Sequence, residues 1–522
     1  MKEPITVCIL TAGKGTRMGA MGLTIPKALH AINSKAIISL IIEKFPKDTE
    51  FVVGIGFLGT QVKQYLELAH PENNFNYVKV DNFDGPGSGP GYSLLCCKDY
   101  LSKPFHFVSC DTLWDNEIDW TQEENWFGVD QIDSSDSKNY CNLKIIDGQI
   151  TDVADKVKVD SNQYKAFVGL CHIKDHEVFW EALKDPDLIG GEHQISNGVN
   201  KLISEKYVKP VLVDWTDVGD KKKYEKALEK YENFDFSKTD ETLYIVNDKV
   251  IKFFVDEEIS KRRVSKASLN AKVFPKIKSH LHQFYSYDFQ TGQTLYKKNN
   301  DEIFRSLLEW LSNNLWNSVD IKSEEIKKSC EIFYNKKTLE RLKKFNEKYP
   351  KFKEIKRING VEVPFVEELI KKLPWHSIYQ GIPCFMHGDL QFDNIIYDES
   401  KQKFLLLDWR QDFAGNIDYG DLYYDLAKLY GGMILNYDLI KLNLFDYFQS
   451  DEEVSIDFAQ RYKTEAYIEI LEEFIHQKGY DLHKVRLIVG LIFLNMSPLH
   501  HAPFDKLLHS LGRLFLHKEL SS

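Results

Sequence analysis

The chain of 522 residues is 43% hydrophobic and 28% charged, with a formal net charge of −11. Its length exceeds what one core holds and predicts about two to four domains of soluble, globular type. The acidic balance excludes nucleic acid as the main partner, because no basic excess exists to release counterions.

The eight cysteines are scattered apart from Cys96–Cys97 and show no C-x-x-C or metal-ligand spacing, so reduced thiols in a cytoplasmic setting are expected. The apolar stretch that follows Lys2 and Glu3 is too short for a signal-peptide core. No run approaches the ~20 apolar residues of a bilayer span, so no membrane insertion is expected. A homo-oligomer is left open, and no internal repeat is visible.

In chain order, Val7–Leu10 is a short apolar run that breaks into the glycine-rich loop Thr11–Met18. A strand ending in such a loop exposes backbone N–H groups that can cradle phosphates. Ala12, Gly13, Lys14, Gly15 and Thr16 form that cradle, with Lys14 and Arg17 adding positive charge. Pro26-Lys27-Ala28-Leu29 follows, then a helical run at Ile37–Ile42, a strand at Phe51–Ile55 and a helix at Thr60–Leu68. This alternation predicts a mostly parallel sheet covered by helices.

A second glycine-rich loop, with Gly87 and Gly89, runs from Asp84 to Ser93, and Phe107–Asp111 reads as a strand ending in an acid. Ile145–Val153 alternates about Asp147-Gly148, a tight hairpin signal. Lys156 follows it, and Ala166–Ile173 reads as a buried strand. Trp215-Thr-Asp217-Val-Gly219 forms a turn before a helix at Lys221–Tyr231.

The fragments A-G-K-G-T-R-M, P-K-A-L, Phe107–Asp111 and W-T-D-V-G resemble the nucleotidyltransferases that make nucleotide sugars and CDP-alcohols. The resemblance implies a Rossmann-like α/β domain over residues 1–232 with a mixed, mostly parallel sheet. It implies Asp111 and Asp217 as Mg²⁺ ligands, with Arg17 and Lys27 stabilising the triphosphate. Gly87 and Gly89 would approach the base of CTP or UTP, and Lys156 the acceptor phosphate. The family often has Glu-Lys-Pro where this chain has Asp155-Lys156-Val157. No general base is required, since a phosphate nucleophile is already ionised.

Glu232–Asp240 is polar and aperiodic, and a linker is expected at 233–240. Leu243–Phe254 reads as two strands about an Asn-Asp turn, with Lys252 placed like the phosphate-holding lysine of a V-A-I-K strand. Glu257 and Glu258, in a charged helix at Asp256–Ala271, are both candidate partners for it. Phe284–Phe289 alternates like an edge strand, and Ile303–Trp316 and Ser323–Phe345 recur at helical spacing.

His387–Asp398 (HGDLQFDNIIYD) and Leu405–Trp409 (LLLDW) then supply an acid, an amide five positions later, and a second acid ending a short apolar run. Phosphoryl transfer needs that set: Asp389 accepts the proton of the attacking hydroxyl, while Asn394 and Asp408 hold Mg²⁺ against the phosphates of ATP. Asp421 and Asp425 read as structural acids in the next helix. Tyr423, Tyr424, Tyr430 and Trp375 read more readily as core than as a cation-binding cage.

This pattern resembles the catalytic and metal loops of choline kinases, aminoglycoside phosphotransferases and their sugar-kinase relatives. It implies an α+β, bilobal, protein-kinase-like domain at 241–522, with a small N-lobe at 241–295 and a helical C-lobe at 296–522. Together the halves predict a bifunctional enzyme. The kinase would phosphorylate a sugar or a choline-like amino alcohol with ATP. The transferase would couple that ester to CTP or UTP for decoration of cell-surface polysaccharide or lipid. The alternative is a chain in which one half is silent and serves as a binding or regulatory scaffold.

Overall fold

The computed structural model describes residues 4–184, 187–231, 240–460 and 463–521. The chain divides into two compact units, Met1–Asp256 with Gln283–Ser286, and Glu257–His282 with Tyr287–Ser522.

The first unit is built on nine strands: β1 (Thr6–Leu10), β2 (Glu50–Ile55), β3 (Asn74–Lys79), β4 (Phe105–Ser109), β5 (Asn125–Asp130), β6 (Cys141–Ile146), β7 (Gln149–Asp155), β8 (Tyr164–Ile173) and β9 (Val208–Leu212). They form one sheet in the order β7-β6-β8-β4-β1-β2-β3, with β5 beside β8 and β9 beside β5. Strands β3, β2, β1 and β4 run parallel, whereas β8 is antiparallel to β4, β5 and β6. The sheet is therefore mixed around a parallel centre. Its fully buried β-branched and aromatic residues, among them Val52, Val53, Phe105 and Phe127, suit strands covered on both faces.

Register decides where the chemistry sits. Leu10 pairs with Ser109 on one side and Gly54 on the other, so the loop after β1 and the residues after β4 emerge at the same carboxyl edge. Crevices at that edge are where open α/β sheets bind ligands. Strand β4 stops at Ser109, two residues before the expected end at Asp111. The chain then turns into a short strand, Thr112–Trp114, which pairs antiparallel with Trp215–Asp217.

The helices Gly59–Ala69 (α1) and Lys221–Tyr231 (α2) lie where periodicity puts them. Asp147-Gly148 turns between β6 and β7 with φ of 49° and 76°, as a type I′ hairpin requires. The hairpin of β10 (Glu241–Val246) and β11 (Lys249–Phe254) packs on the first unit. Tyr244 donates its hydroxyl to the Leu29 carbonyl at 2.7 Å, its ring meets Tyr65 edge-on at 4.7 Å, and Asn247 Nδ2 donates to the Ala69 carbonyl. These contacts draw the unit boundary at Asp256. The expected linker, apart from Asp240, lies outside the described residues.

The second unit is largely helical. The long pattern expected over Ser323–Phe345 becomes an α-helix at Ser323–Cys330, a π-helical turn at Glu331–Lys336 and helix α3 (Lys337–Lys348). A hairpin of β12 (Ile395–Asp398) and β13 (Lys403–Leu406) and helix α4 (Leu422–Ile434) frame its site. Leu482–Leu499 is long and apolar enough to cross a membrane by length and composition. Its Val485, Leu487, Ile488, Val489 and Leu491 are at most 1% exposed, inside the unit.

Phe105→Ala removes a fully buried ring that stacks on Trp180 at 5.4 Å. It is expected to cost about 3–5 kcal/mol, read as a lower urea midpoint for the first unit.

Candidate active sites in the two units

At the carboxyl edge of the first unit, Thr11 caps the strand by donating its amide and hydroxyl to the Gly54 carbonyl at 2.8 and 2.9 Å. The loop then turns at Gly15 with φ of 61°, and Thr16 opens a 3-10 turn carrying Arg17. Ala12 is buried, and no heavy atom lies within 4 Å of a Cβ built on Gly13. That leaves this backbone open to a close ligand. Lys14 reaches Asp84 at 2.5 Å, tying the first glycine-rich loop to the second.

In the second loop the Gly87 amide donates to the Gly191 carbonyl at 2.9 Å. A Cβ on Gly89, which has φ of 131°, would lie 2.5 Å from the His193 carbonyl oxygen. Both conformation and space demand glycine there. Lys156, also at positive φ, pairs with Glu192 of the same facing segment at 2.9 Å.

The two acids expected to share a metal do converge. Asp217 stands opposite Thr112 in the short strand pair, and the Val218 amide donates to the Asp111 carbonyl at 3.0 Å. A Cβ built on Gly219 would lie 2.8 Å from Asp217 Oδ1, 3.1 Å from Asp111 Oδ2 and 3.8 Å from Arg17 Nη2. Lys27 Nζ donates to Asp111 Oδ2 at 2.6 Å and Ser109 Oγ to Oδ1 at 2.5 Å. Burial alone would raise the Asp111 carboxyl. The Lys27 charge, the two hydrogen bonds and Arg17 outweigh it and hold the group well below the usual carboxylate range. Burial likewise opposes the charge on Lys27, and Asp111 overcomes it, so the lysine rises.

Two side chains that sequence reasoning missed, Tyr140 and Lys223, hold Asp217 Oδ2 at 2.9 and 2.7 Å. Lys223 lies six residues after Asp217, but Tyr140 arrives from the turn just before β6 with no local signal. Oxygen-only donors at two carboxylates suit Mg²⁺, which takes one or two protein carboxylates and completes its shell with water and phosphate. Among the described residues no group of three or more His, Cys, Asp or Glu could hold a metal, in keeping with that partial ligand set.

In the second unit Asp425 organises the H-G-D loop. It accepts the amides of His387 and Gly388 at 2.8 and 2.7 Å and the Trp316 indole N–H at 3.1 Å. Asp421 accepts the Ile382 amide and the Tyr334 hydroxyl at 2.9 and 2.8 Å and caps α4 through the Tyr423 amide. His387 is neutral with its proton on Nε2: that atom donates to the Leu407 carbonyl at 2.8 Å, and Nδ1 accepts the Asp389 amide at 3.1 Å. Burial pushes it down to about 4.

Asp389 receives Lys428 at 2.7 Å and Gln391 at 3.2 Å on Oδ1. Lys428, missed in the sequence, sits three residues beyond Asp425 on α4, a spacing that shares a helix face. Asn394 Nδ2 donates to the Asp389 carbonyl, and the Leu407 amide donates to the Asn394 carbonyl, both at 2.8 Å. Asn394 thus lies next to the strand end that presents Asp408. Asp408 has φ of 54° and stands 3.7 Å from Arg263. The amide and carboxylate oxygens of Asn394 and Asp408 suit Mg²⁺ as the first pair does. Lys252 is buried on β11 in the first unit. Glu257 meets His282 at 3.0 Å and Glu258 meets Arg262 at 3.2 Å. Tyr423, Tyr424 and Tyr430 are core residues at most 7% exposed.

Residues 278–467 match the phosphotransferase enzyme family APH. The C-terminal half carries a kinase-family domain. Upstream of this APH domain, the N-terminal region matches nucleotidyltransferases. It is 24% identical over 216 residues to the bifunctional protein GlmU of Methanococcus aeolicus, covering 40% of this chain and 50% of that protein. The chain spans about half the length of the curated relatives it matches. Among solved structures, UDP-glucose pyrophosphorylase complexed with UDP-glucose is 17% identical, covering 44% of this chain and 98% of that one, with a TM-score of 0.38. CTP:phosphocholine cytidylyltransferase from Streptococcus pneumoniae is 18% identical, covering 44% and 99%, with a TM-score of 0.35.

Gly219→Ala would push a methyl between the two carboxylates. It is expected to weaken Mn²⁺ binding to the nucleotidyltransferase region by about tenfold, read by electron paramagnetic resonance with the APH-domain site removed by Asp408→Asn. The depressed His387 predicts acid sensitivity. Between pH 6.5 and 4 the unfolded chain takes up a proton that the folded APH domain refuses, so stability falls as pH falls through that window. His387→Gln should flatten the decline by roughly 3 kcal/mol; urea midpoints at pH 6.5, 5.5 and 4.5 check it, and an unchanged slope rules His387 out.

Proposed function

We propose that the chain is a two-step activating enzyme: a small-molecule kinase over residues 241–522 and a nucleotidyltransferase over residues 1–232. The carrying observation is that each unit assembles its own oxygen ligands beside cations, Asp111 and Asp217 with Arg17 and Lys27 in one, Asp389, Asn394 and Asp408 in the other. In the kinase step Asp389 orients the acceptor hydroxyl and takes its proton as the oxygen attacks the γ-phosphorus of ATP. The β,γ-bridging P–O bond breaks and ADP leaves. Lys428 aims Asp389 through its 2.7 Å contact, and Asp425 holds the loop that carries it.

In the second step an oxygen of the phosphate ester attacks the α-phosphorus of CTP or UTP, and pyrophosphate leaves. Arg17 and Lys27 stabilise the triphosphate, the glycine-rich loop after β1 lends backbone N–H groups, and Lys156 faces the incoming phosphate. Asp111 and Asp217 in one unit, and Asn394 and Asp408 in the other, would hold Mg²⁺, which would neutralise charge on the phosphate oxygens. The product is a nucleotide-activated small molecule for decoration of a surface polysaccharide or lipid. Fusion keeps the two activities at equal copy number and high local concentration without requiring a physical channel. The free state of all eight cysteines supports a cytoplasmic setting.

With ATP, CTP or UTP and a panel of alcohols and sugars, Asp389→Ala should abolish ester formation yet leave coupling of a supplied phosphate ester intact. Asp111→Ala should do the reverse. Loss of both activities in either variant would contradict independent sites, and a wild-type half with no turnover on any substrate would mark it as a scaffold.

A further inference from the structure

A group of cations stands close to Lys428, the partner of Asp389, and the transfer chemistry above does not use it. Lys337 opens helix α3, directly after the π-helical turn, and its Nζ lies 4.0 Å from the centre of the Phe333 ring. Arg410 stands over the same ring at 5.0 Å. Phe413 stacks on that ring at 4.2 Å and Tyr424 meets it edge-on at 4.9 Å, so the floor under both cations is buried and aromatic. Arg341, one turn along α3, lies on the face of Lys337.

The cluster is joined to the catalytic loop. The Arg410 amide donates to the His387 carbonyl at 3.0 Å, and a Cβ on Gly388 would lie 2.7 Å from Arg410 Cβ. Lys428, the cation on Asp389, is close enough to Lys337 to repel its charge.

Counter-charge is scarce. Asp389 answers Lys428, and Asp412, the acid nearest Lys337 in effect, also faces Arg262 at 3.4 Å. Among the described residues no carboxylate lies within ion-pair distance of Lys337 or Arg410, and Arg410 Nε is buried without a hydrogen-bond partner. Burial, then Arg410, Arg341 and Lys428, press the Lys337 ammonium well below its ordinary range. Such crowding is unfavourable until an anion enters. Both cations remain partly open to solvent, and a π-helical turn often marks a functional site.

We infer that the kinase site takes an alcohol bearing an anionic group, carboxylate or phosphate, and that Lys337 and Arg410 bind this group while Asp389 receives the hydroxyl. The inference rests on the kinase reading above and names its substrate class. It goes against a choline-like acceptor: a quaternary ammonium needs a bare aromatic face, and the face of Phe333 already carries two cations. A planar guanidinium beside a lysine suits the fork of a carboxylate or phosphate.

Four alcohols of similar size test this on the full chain by calorimetry without nucleotide: D-glycerate, glycerol 3-phosphate, glycerol and choline. At least one anion should bind at least tenfold more tightly than glycerol and choline, and the tighter of the two anions identifies carboxylate or phosphate. Lys337→Met should weaken that anion at least tenfold and leave glycerol unchanged, while Lys337→Arg keeps affinity within threefold. Equal binding of all four, preference for choline, or a Lys337→Met effect confined to the KM for MgATP would overturn the assignment. Phosphoryl transfer to the same panel is followed separately. Binding of an anion through Lys337 with no phosphoryl transfer to any member of the panel removes the kinase reading and the substrate assignment with it, leaving only an anion site; transfer to choline with no anion bound keeps the kinase reading and overturns the inference.

Discussion

A carboxylate locked to a lysine recurs at the heart of both units, Asp111 with Lys27 at 2.6 Å and Asp389 with Lys428 at 2.7 Å. Burial of Asp111 by itself favours its protonated form, and a protonated carboxyl neither binds a cation nor accepts a proton. Lys27 opposes that protonation at Asp111, and each ammonium fixes the direction of its acid. Deleting either lysine therefore removes a positive charge and leaves an exposed weakness at the acid, which is why such pairs cost more to break than to omit.

The two units reach this pairing by different routes. The first uses a parallel sheet whose strand ends share one edge, so that residues about a hundred positions apart meet through register: Leu10 beside Ser109, Thr112 opposite Asp217. The second uses a short hairpin, β12 and β13, with a loop suspended from the buried carboxylate of Asp425. In both cases rigid elements hold the acids while glycines admit the backbone, a division that suits chemistry dependent on placement.

Charge is distributed to match. The chain carries a net −11, yet Lys337 and Arg410 stand over Phe333, Arg341 and Lys428 are close enough to oppose the charge on Lys337, and Lys428 pairs with Asp389. A local positive field in an acidic protein concentrates a small anion at one place while the remaining surface repels it.

Much of this was legible in the amino-acid order. The glycine-rich loop, the acid-amide-acid spacing from Asp389 to Asp408, the helices at Ile37–Ile42 and Lys221–Tyr231 and the turn at Asp147-Gly148 depend on neighbours in the chain, and local propensity and periodicity record them. What tertiary structure decided is which distant groups share a space. Tyr140 and Lys223 on Asp217, Lys428 on Asp389, and the packing of β10 on Tyr65 follow from strand register and helix rotation, which no short motif encodes. The two cations on Phe333 come from α3 and from the segment after β13, 73 residues apart in sequence, and the ring Tyr424 beside them comes from α4. Only the folded chain brings their like charges together, because the energy that holds them comes from the packing of aromatic rings beneath rather than from any attraction among themselves.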